Sequence, residues 1–174
     1  MKLFGNWRKE TPHTHEESAF AQGETPVTAN PENSFGQNRK ILVVDDNPVV
    51  LKAFELKLKT LGFQVVTASD GSAAVSLARQ ERPDLIVLDI HFPPDVGSSG
   101  LQWNGFTIMQ WMQRFNEAAN IPIIIITSDE VGKFKDKAVT AGAVACFQKP
   151  INHEEFLIAV RRTLSARAAK PPTA

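Results

Sequence analysis

The chain has 174 residues, and 19 basic side chains balance 19 acidic ones, so no bulk charge draws it to nucleic acid or to an anionic membrane surface. Its 43% apolar content suffices for a packed core, while the absence of tyrosine and the presence of a single cysteine, Cys146, exclude internal disulfides and thiolate metal cages. No run reaches the roughly 18 apolar residues of a membrane span, and the N-terminus lacks the apolar stretch of a secretory signal, which predicts a soluble cytoplasmic protein with no membrane contact.

Residues 1–38 hold only Leu3 and Val27 as aliphatics after the initiator methionine, with prolines at 12, 26 and 31 and five acids against three bases. Such a segment buries too little apolar surface to offset the entropy of ordering it, so a disordered tail is expected. His13 and His15 beside Glu16 and Glu17 lack the further ligands and periodicity of a metal site. Phe4 and Trp7 offer, at most, a short partner-docking helix.

From residue 40 the pattern changes. Ile41-Leu42-Val43-Val44 is a continuous apolar run ending in acids, the signature of a strand buried on both faces. Asn47 can cap a helix that Pro48 opens, with Leu51, Phe54, Leu58 and Leu61 on one face and Gly62 as its stop. The cycle then repeats, with a strand at 63–67, a helix at 71–81, a strand at 85–88 after Pro83, and a helix at 104–115. A strand at 122–126, a helix at 130–140 stopping before Gly142, a strand at 144–147 and a helix at 152–166 complete it. Five aliphatic strands alternating with five helices predict a parallel sheet covered on both faces. That is a doubly wound (βα)5, flavodoxin-like three-layer sandwich with strand order 2-1-3-4-5 over residues 39–167, followed by a flexible tail at 168–174. Arg161, Arg162, Arg167 and Lys170 gather near the end of the last helix, where cations complement the helix dipole, and no nucleic-acid contact is expected.

Ligands of open parallel sheets bind beyond the carboxyl ends of the strands. There the sequence places Asp45 and Asp46 after strand one, Asp89 after strand three, Thr127 after strand four and Lys149 after strand five. In the order 2-1-3-4-5 these five side chains converge on one pocket. Carboxylates about 5 Å apart, at an effective dielectric of about 20, repel by roughly 3 kcal/mol per pair, so the cluster calls for a cation. Hard oxygen ligands without sulfur select Mg2+, which retains water and leaves room for a phosphoryl group. Lys149 adds positive charge, and the Thr127 hydroxyl and the Ser128 amide can donate to phosphoryl oxygens.

With these residues the chain resembles the receiver domains of two-component response regulators. The resemblance spans about residues 41–165 and rests on the Asp45-Asp46 pair, Val87-Leu88-Asp89, Thr127-Ser128, Ala141-Gly142-Ala143 and Lys149-Pro150. It implies a signalling phosphoprotein rather than an enzyme, one that assists its own phosphorylation and dephosphorylation. Asp89 is then the phosphoacceptor, receiving a phosphoryl group from a histidine kinase or a phosphotransfer protein. Asp46, Asp89 and the backbone carbonyl of His91 ligate the metal, Asp45 acts mainly through water, and Lys149, Thr127 and Ser128 hold the phosphoryl group. The resemblance also implies a cis peptide before Pro150 and an output to a downstream protein through helix four, strand five and helix five. With no effector domain after the last helix, a stand-alone receiver is expected.

The chain departs from that pattern in two places. Cys146 occupies the switch position three residues before the lysine, where receivers usually carry Tyr or Phe, and Phe147 should face the opposite side of its strand. The Asn104-Gly105 pair that opens helix three lies farther past Asp89 than the family pattern has it, and the extra segment at 93–103 holds Pro93, Pro94 and Trp103. A partial lid and a tolerated insertion both suit it. His91 and Asp129, two residues past Asp89 and Thr127, can crowd or orient an attacking water. Two other readings compete: a magnesium-dependent aspartyl-phosphate phosphohydrolase, for which Asp89-Ile90-His91 lacks the second acid, and a phosphorylation-independent scaffold on the same fold.

Overall fold

The computed structural model of the chain describes residues 36–91 and 104–169. The expected N-terminal tail, apart from its last residues, the 93–103 segment and positions 170–174 lie outside the described residues.

Each aliphatic run is a strand and each amphipathic stretch a helix. In chain order they are β1 (Lys40–Val44), α1 (Pro48–Thr60), β2 (Gln64–Ala68), α2 (Gly71–Glu81) and β3 (Leu85–Asp89), then α3 (Gly105–Met112), β4 (Ile123–Thr127), α4 (Val131–Thr140), β5 (Ala145–Gln148) and α5 (His153–Ala168). All strand pairs are parallel and the order is β2-β1-β3-β4-β5, as the alternation requires. Strand alternation divides the interior into two cores. Ile41, Val43, Leu85, Val87, Ile124 and Ile126 face α1 and α5, where they meet Phe54, Leu58, Phe156, Val160 and Leu164. Leu42, Val44, Ile86, Leu88, Ile123 and Ile125 face the other way, onto Ala74 and Ala78 of α2, Ile108, Met109 and Met112 of α3, and Ala138 of α4. Every residue of β3 and β4 is buried, which explains why those strands read as unbroken apolar runs.

Local chemistry sets the helix ends. Asn47, Asp70, Asn104 and Asn152 each accept a hydrogen bond from a backbone N–H of the first turn that follows. Gly62 and Gly142, with φ of 86° and 88°, turn the chain out of α1 and α4 in a conformation that a side chain disfavours. Helix α3 is shorter than its pattern predicts. It ends at Met112 rather than 115, and tighter bonds from Arg114 N–H to Trp111 O and from Phe115 N–H to Met112 O replace the helical ladder. The tightening sets Phe115 under the Arg79 guanidinium of α2, 4.2 Å from its ring centre, and buries Ala118. Arg167 does more than complement the dipole of α5: it reaches the carbonyls of Asp84 and Asn120 at 3.4 and 3.2 Å, tying the last turn to the loops before β3 and β4.

The α5 cap is open to a direct test. Asn152 accepts from Glu154 N–H and Glu155 N–H at 3.0 and 3.3 Å, and both glutamates sit at the positive end of the helix dipole. Asn152→Ala is expected to lower unfolding stability by about 1 kcal/mol, measured as a shift in urea midpoint at unchanged slope.

Candidate functional site

The carboxyl ends of β1, β3, β4 and β5 meet in a cleft of about 430 Å³ lined by Asp45, Asp46, Asn47, Asp89, His91, Ser128 and Lys149. Asp45 and Asp89 are held alike. The amide two residues ahead donates to one carboxylate oxygen of each: Asn47 N–H to Asp45 Oδ1 at 2.9 Å and His91 N–H to Asp89 Oδ1 at 2.9 Å. This is the turn that an aspartate makes with its own backbone. It leaves both Oδ2 atoms facing the Lys149 ammonium, at 2.7 Å from Asp45 and 2.5 Å from Asp89.

Lys149 reaches them from the end of β5, and a cis Lys149–Pro150 peptide follows it. Asp45 and Asp89 are buried at the floor, and Asp46 is exposed at the rim. One carboxylate oxygen from each of the three lies within 4.8 Å of the others. Three carboxylates against one ammonium leave the cluster net negative, and every side-chain donor in it is a hard oxygen. The residues therefore suit a small divalent cation such as magnesium.

Burial pushes the Asp89 carboxyl above its ordinary range, against the lowering by the His91 N–H and by Lys149. Burial works on Lys149 in the opposite sense, but the hydrogen bonds to Asp45 and Asp89 outweigh it and hold the ammonium above its usual value.

Four of the five strand-end residues predicted from sequence, Asp45, Asp46, Asp89 and Lys149, line the cleft together with Ser128, whereas Thr127 lies buried behind it. Its Oγ1 accepts from Asp129 N–H at 3.1 Å and lies 3.4 Å from His91 Nδ1. His91 Nε2 in turn meets Asp129 Oδ2 at 2.9 Å. These contacts join loops 36 residues apart, and only the spacing of His91 and Asp129 after their strands hinted at them. Gly105 carries a second constraint behind the Asn-Gly signal. A Cβ there would lie 2.6 Å from Ile90 Cα and 2.8 Å from the Asp89 carbonyl oxygen, so α3 can abut the end of β3 only through a glycine.

Cys146 and Phe147 divide between the two cores as alternation predicts. Cys146 pairs in register with Ile125 and packs on the α2–α4 side, whereas Phe147 sits edge-on to Phe156 of α5, with ring centres 5.8 Å apart. The Phe147 ring thus lies across the sheet from the switch position and does not replace an aromatic there. Burial pushes the half-buried Cys146 thiol up. Alkylation by iodoacetamide is therefore expected to be slower than for a free cysteine at pH 7.5 and to accelerate as pH rises above 9. Modification at the free-thiol rate near neutrality would contradict this environment.

Fold and cleft together define an open α/β module with an acidic, lysine-bridged site at the carboxyl ends of its strands. The chain belongs to the response regulator receiver domain family, whose model matches residues 41–161. It is 33% identical over 126 residues to protein PilH of Pseudomonas aeruginosa, covering 72% of this chain and 98% of that one. It is 30% identical over 129 residues to the probable transcriptional regulatory protein TcrX of Mycobacterium tuberculosis, covering 74% of this chain. The chain spans about half of TcrX, 51% of its length. Among solved structures, the chemotaxis response regulator CheY4 of Vibrio cholerae shares the fold at a TM-score of 0.62 and 27% identity, covering 72% of this chain and 98% of that one. Among the described residues, no helix is long and apolar enough to cross a membrane.

Proposed function

We propose that the protein is a phosphorylation-controlled signalling receiver in which Asp89 takes a phosphoryl group from a phosphohistidine of a histidine kinase or phosphotransfer protein. One observation carries this reading: a buried aspartate at the end of the central strand β3, oriented by the His91 N–H and bridged by Lys149 to a second buried carboxylate, beside an open cleft. A carboxylate oxygen of Asp89 attacks phosphorus as the donor's phosphorus–nitrogen bond breaks, and the bonding pair leaves with the donor imidazole. Lys149 Nζ, already at Asp89, accompanies the negative charge that arrives. Asp46, Asp89 and the backbone carbonyl of His91 are the residues that would hold magnesium, with Asp45 acting through water. When bound, the ion supplies charge neutralisation for the transferred oxygens.

The added charge of about −1.5 to −2 biases the surface between two states, and this change is the signal. We assign the output to the face of α4, β5 and α5, where Val139, Val144 and Ile158 stand exposed, and the partner to a downstream protein. A hydrolase reading lacks support, because the cleft presents His91 where an aspartyl-phosphate phosphohydrolase needs a second acid.

The test is stoichiometry. Acetyl phosphate in magnesium is expected to leave one phosphoryl group per chain, with no sustained turnover of an external phosphoester. Sustained turnover of a phosphoester would overturn the receiver reading in favour of the hydrolase.

A further inference from the structure

Thr127, His91 and Asp129 close a ring of hydrogen bonds at the mouth of the cleft. With the imidazole proton on Nε2, each of the three contacts joins a donor to an acceptor. The Thr127 hydroxyl donates to His91 Nδ1 at 3.4 Å, His91 Nε2–H donates to Asp129 Oδ2 at 2.9 Å, and Asp129 N–H donates back to Thr127 Oγ1 at 3.1 Å. Both orienting side chains are half-exposed, with 47% of each accessible, whereas Thr127 beneath them is fully buried. The ring therefore occupies the hydroxyl proton that an arriving phosphoryl oxygen would need. Its longest link is the one to that hydroxyl, so this is the bond that gives way first.

We propose that His91 is a positioning residue which, held by Asp129, latches the Thr127 hydroxyl away from the phosphoryl subsite and so stabilises the unphosphorylated state. This rests on the phosphoacceptor reading above and adds the side chains that set how strongly the cleft resists its ligand. A ligand oxygen that recruits the hydroxyl must first break the Thr127–His91 contact, and its apparent affinity falls by the strength of that contact. The His91 side chain is separate in role from its carbonyl, so replacing it leaves the backbone of the loop in place.

The probe is fluoroberyllate in magnesium, titrated calorimetrically into the full chain. His91→Ala is expected to tighten binding by about two- to tenfold, the range for one hydrogen bond released. In a Thr127→Val background the same His91→Ala change should alter affinity by less than about twofold, because there is no hydroxyl left to latch. Asp129→Ala should tighten binding as His91→Ala does. Asp129→Asn, which keeps an acceptor for Nε2–H, should stay close to the parent protein. An effect of bare charge near an anionic ligand predicts otherwise: Asn and Ala at 129 would behave alike, and the gain would persist with Val at 127. Either result overturns the latch, as does an unchanged affinity in His91→Ala. Failure of the parent protein to bind fluoroberyllate at all would overturn the phosphoacceptor reading and the latch together.

Discussion

Asp89→Asn is expected to take up no phosphoryl group from acetyl phosphate in magnesium, a fall of more than about a hundredfold in rate, as when the nucleophile of a covalent mechanism is removed. The amide is neutral and its oxygen is a poor nucleophile, so the step has no attacking group. The substitution is otherwise mild. Asn keeps an oxygen able to accept the His91 N–H that binds Asp89 Oδ1; its NH2 then stands in the Oδ2 place and turns the Lys149 ammonium away, while Lys149 keeps Asp45 at 2.7 Å. One of three mutually repelling carboxylates also loses its charge, which offsets part of the lost Lys149–Asp89 ion pair, so the variant should fold and unfold cooperatively in urea. Phosphate-affinity electrophoresis and intact mass report the uptake. Equal uptake in the variant would move the phosphoacceptor to another residue, with Asp45 and Asp46 the next to replace.

The strands were legible because burial on both faces leaves no room for polar alternation: Ile41–Val44, Leu85–Leu88 and Ile123–Ile126 announce themselves as aliphatic runs. The chemistry was legible for a related reason. In a parallel sheet every strand points the same way, so single residues at the ends of β1, β3, β4 and β5 converge although up to 104 positions separate Asp45 from Lys149. What stayed hidden depends on distances that no local pattern encodes. The end of α3 looks helical through Phe115 in sequence, and only its packing against Arg79 of α2 accompanies the tighter turn. The glycine at 105 reads as a helix-opening signal, while its stronger reason is the 2.6 Å approach to Ile90. The Thr127–His91–Asp129 ring required knowing which way two loop side chains turn. The Lys149 bridge between Asp45 and Asp89 likewise depends on which way a long side chain turns.

That bridge leads to the second large effect. In chelator, Lys149→Met is expected to lower unfolding stability by about 3 kcal/mol, the scale of removing one partner from a buried ion pair. Methionine preserves the length and the apolar stem of lysine but removes the ammonium. The side chains of Asp45 and Asp89, 0% and 4% exposed, are then left facing each other without their cation. Protonation of Asp89, whose carboxyl burial already pushes up, limits the loss. Magnesium should recover more stability in the variant than in the parent chain. In the parent, Lys149 neutralises part of the charge of the Asp45 and Asp89 carboxylates; in the variant that charge is uncompensated, so an ion held at the cluster would bind more tightly, and its stabilisation would grow with the ratio of concentration to dissociation constant. Urea unfolding of both proteins with EDTA and with magnesium separates the terms. If the variant's deficit is the same under both conditions, then Lys149 and the cation do not act on the same carboxylates, and the assignment of Asp45 and Asp89 to one cation-binding cluster fails.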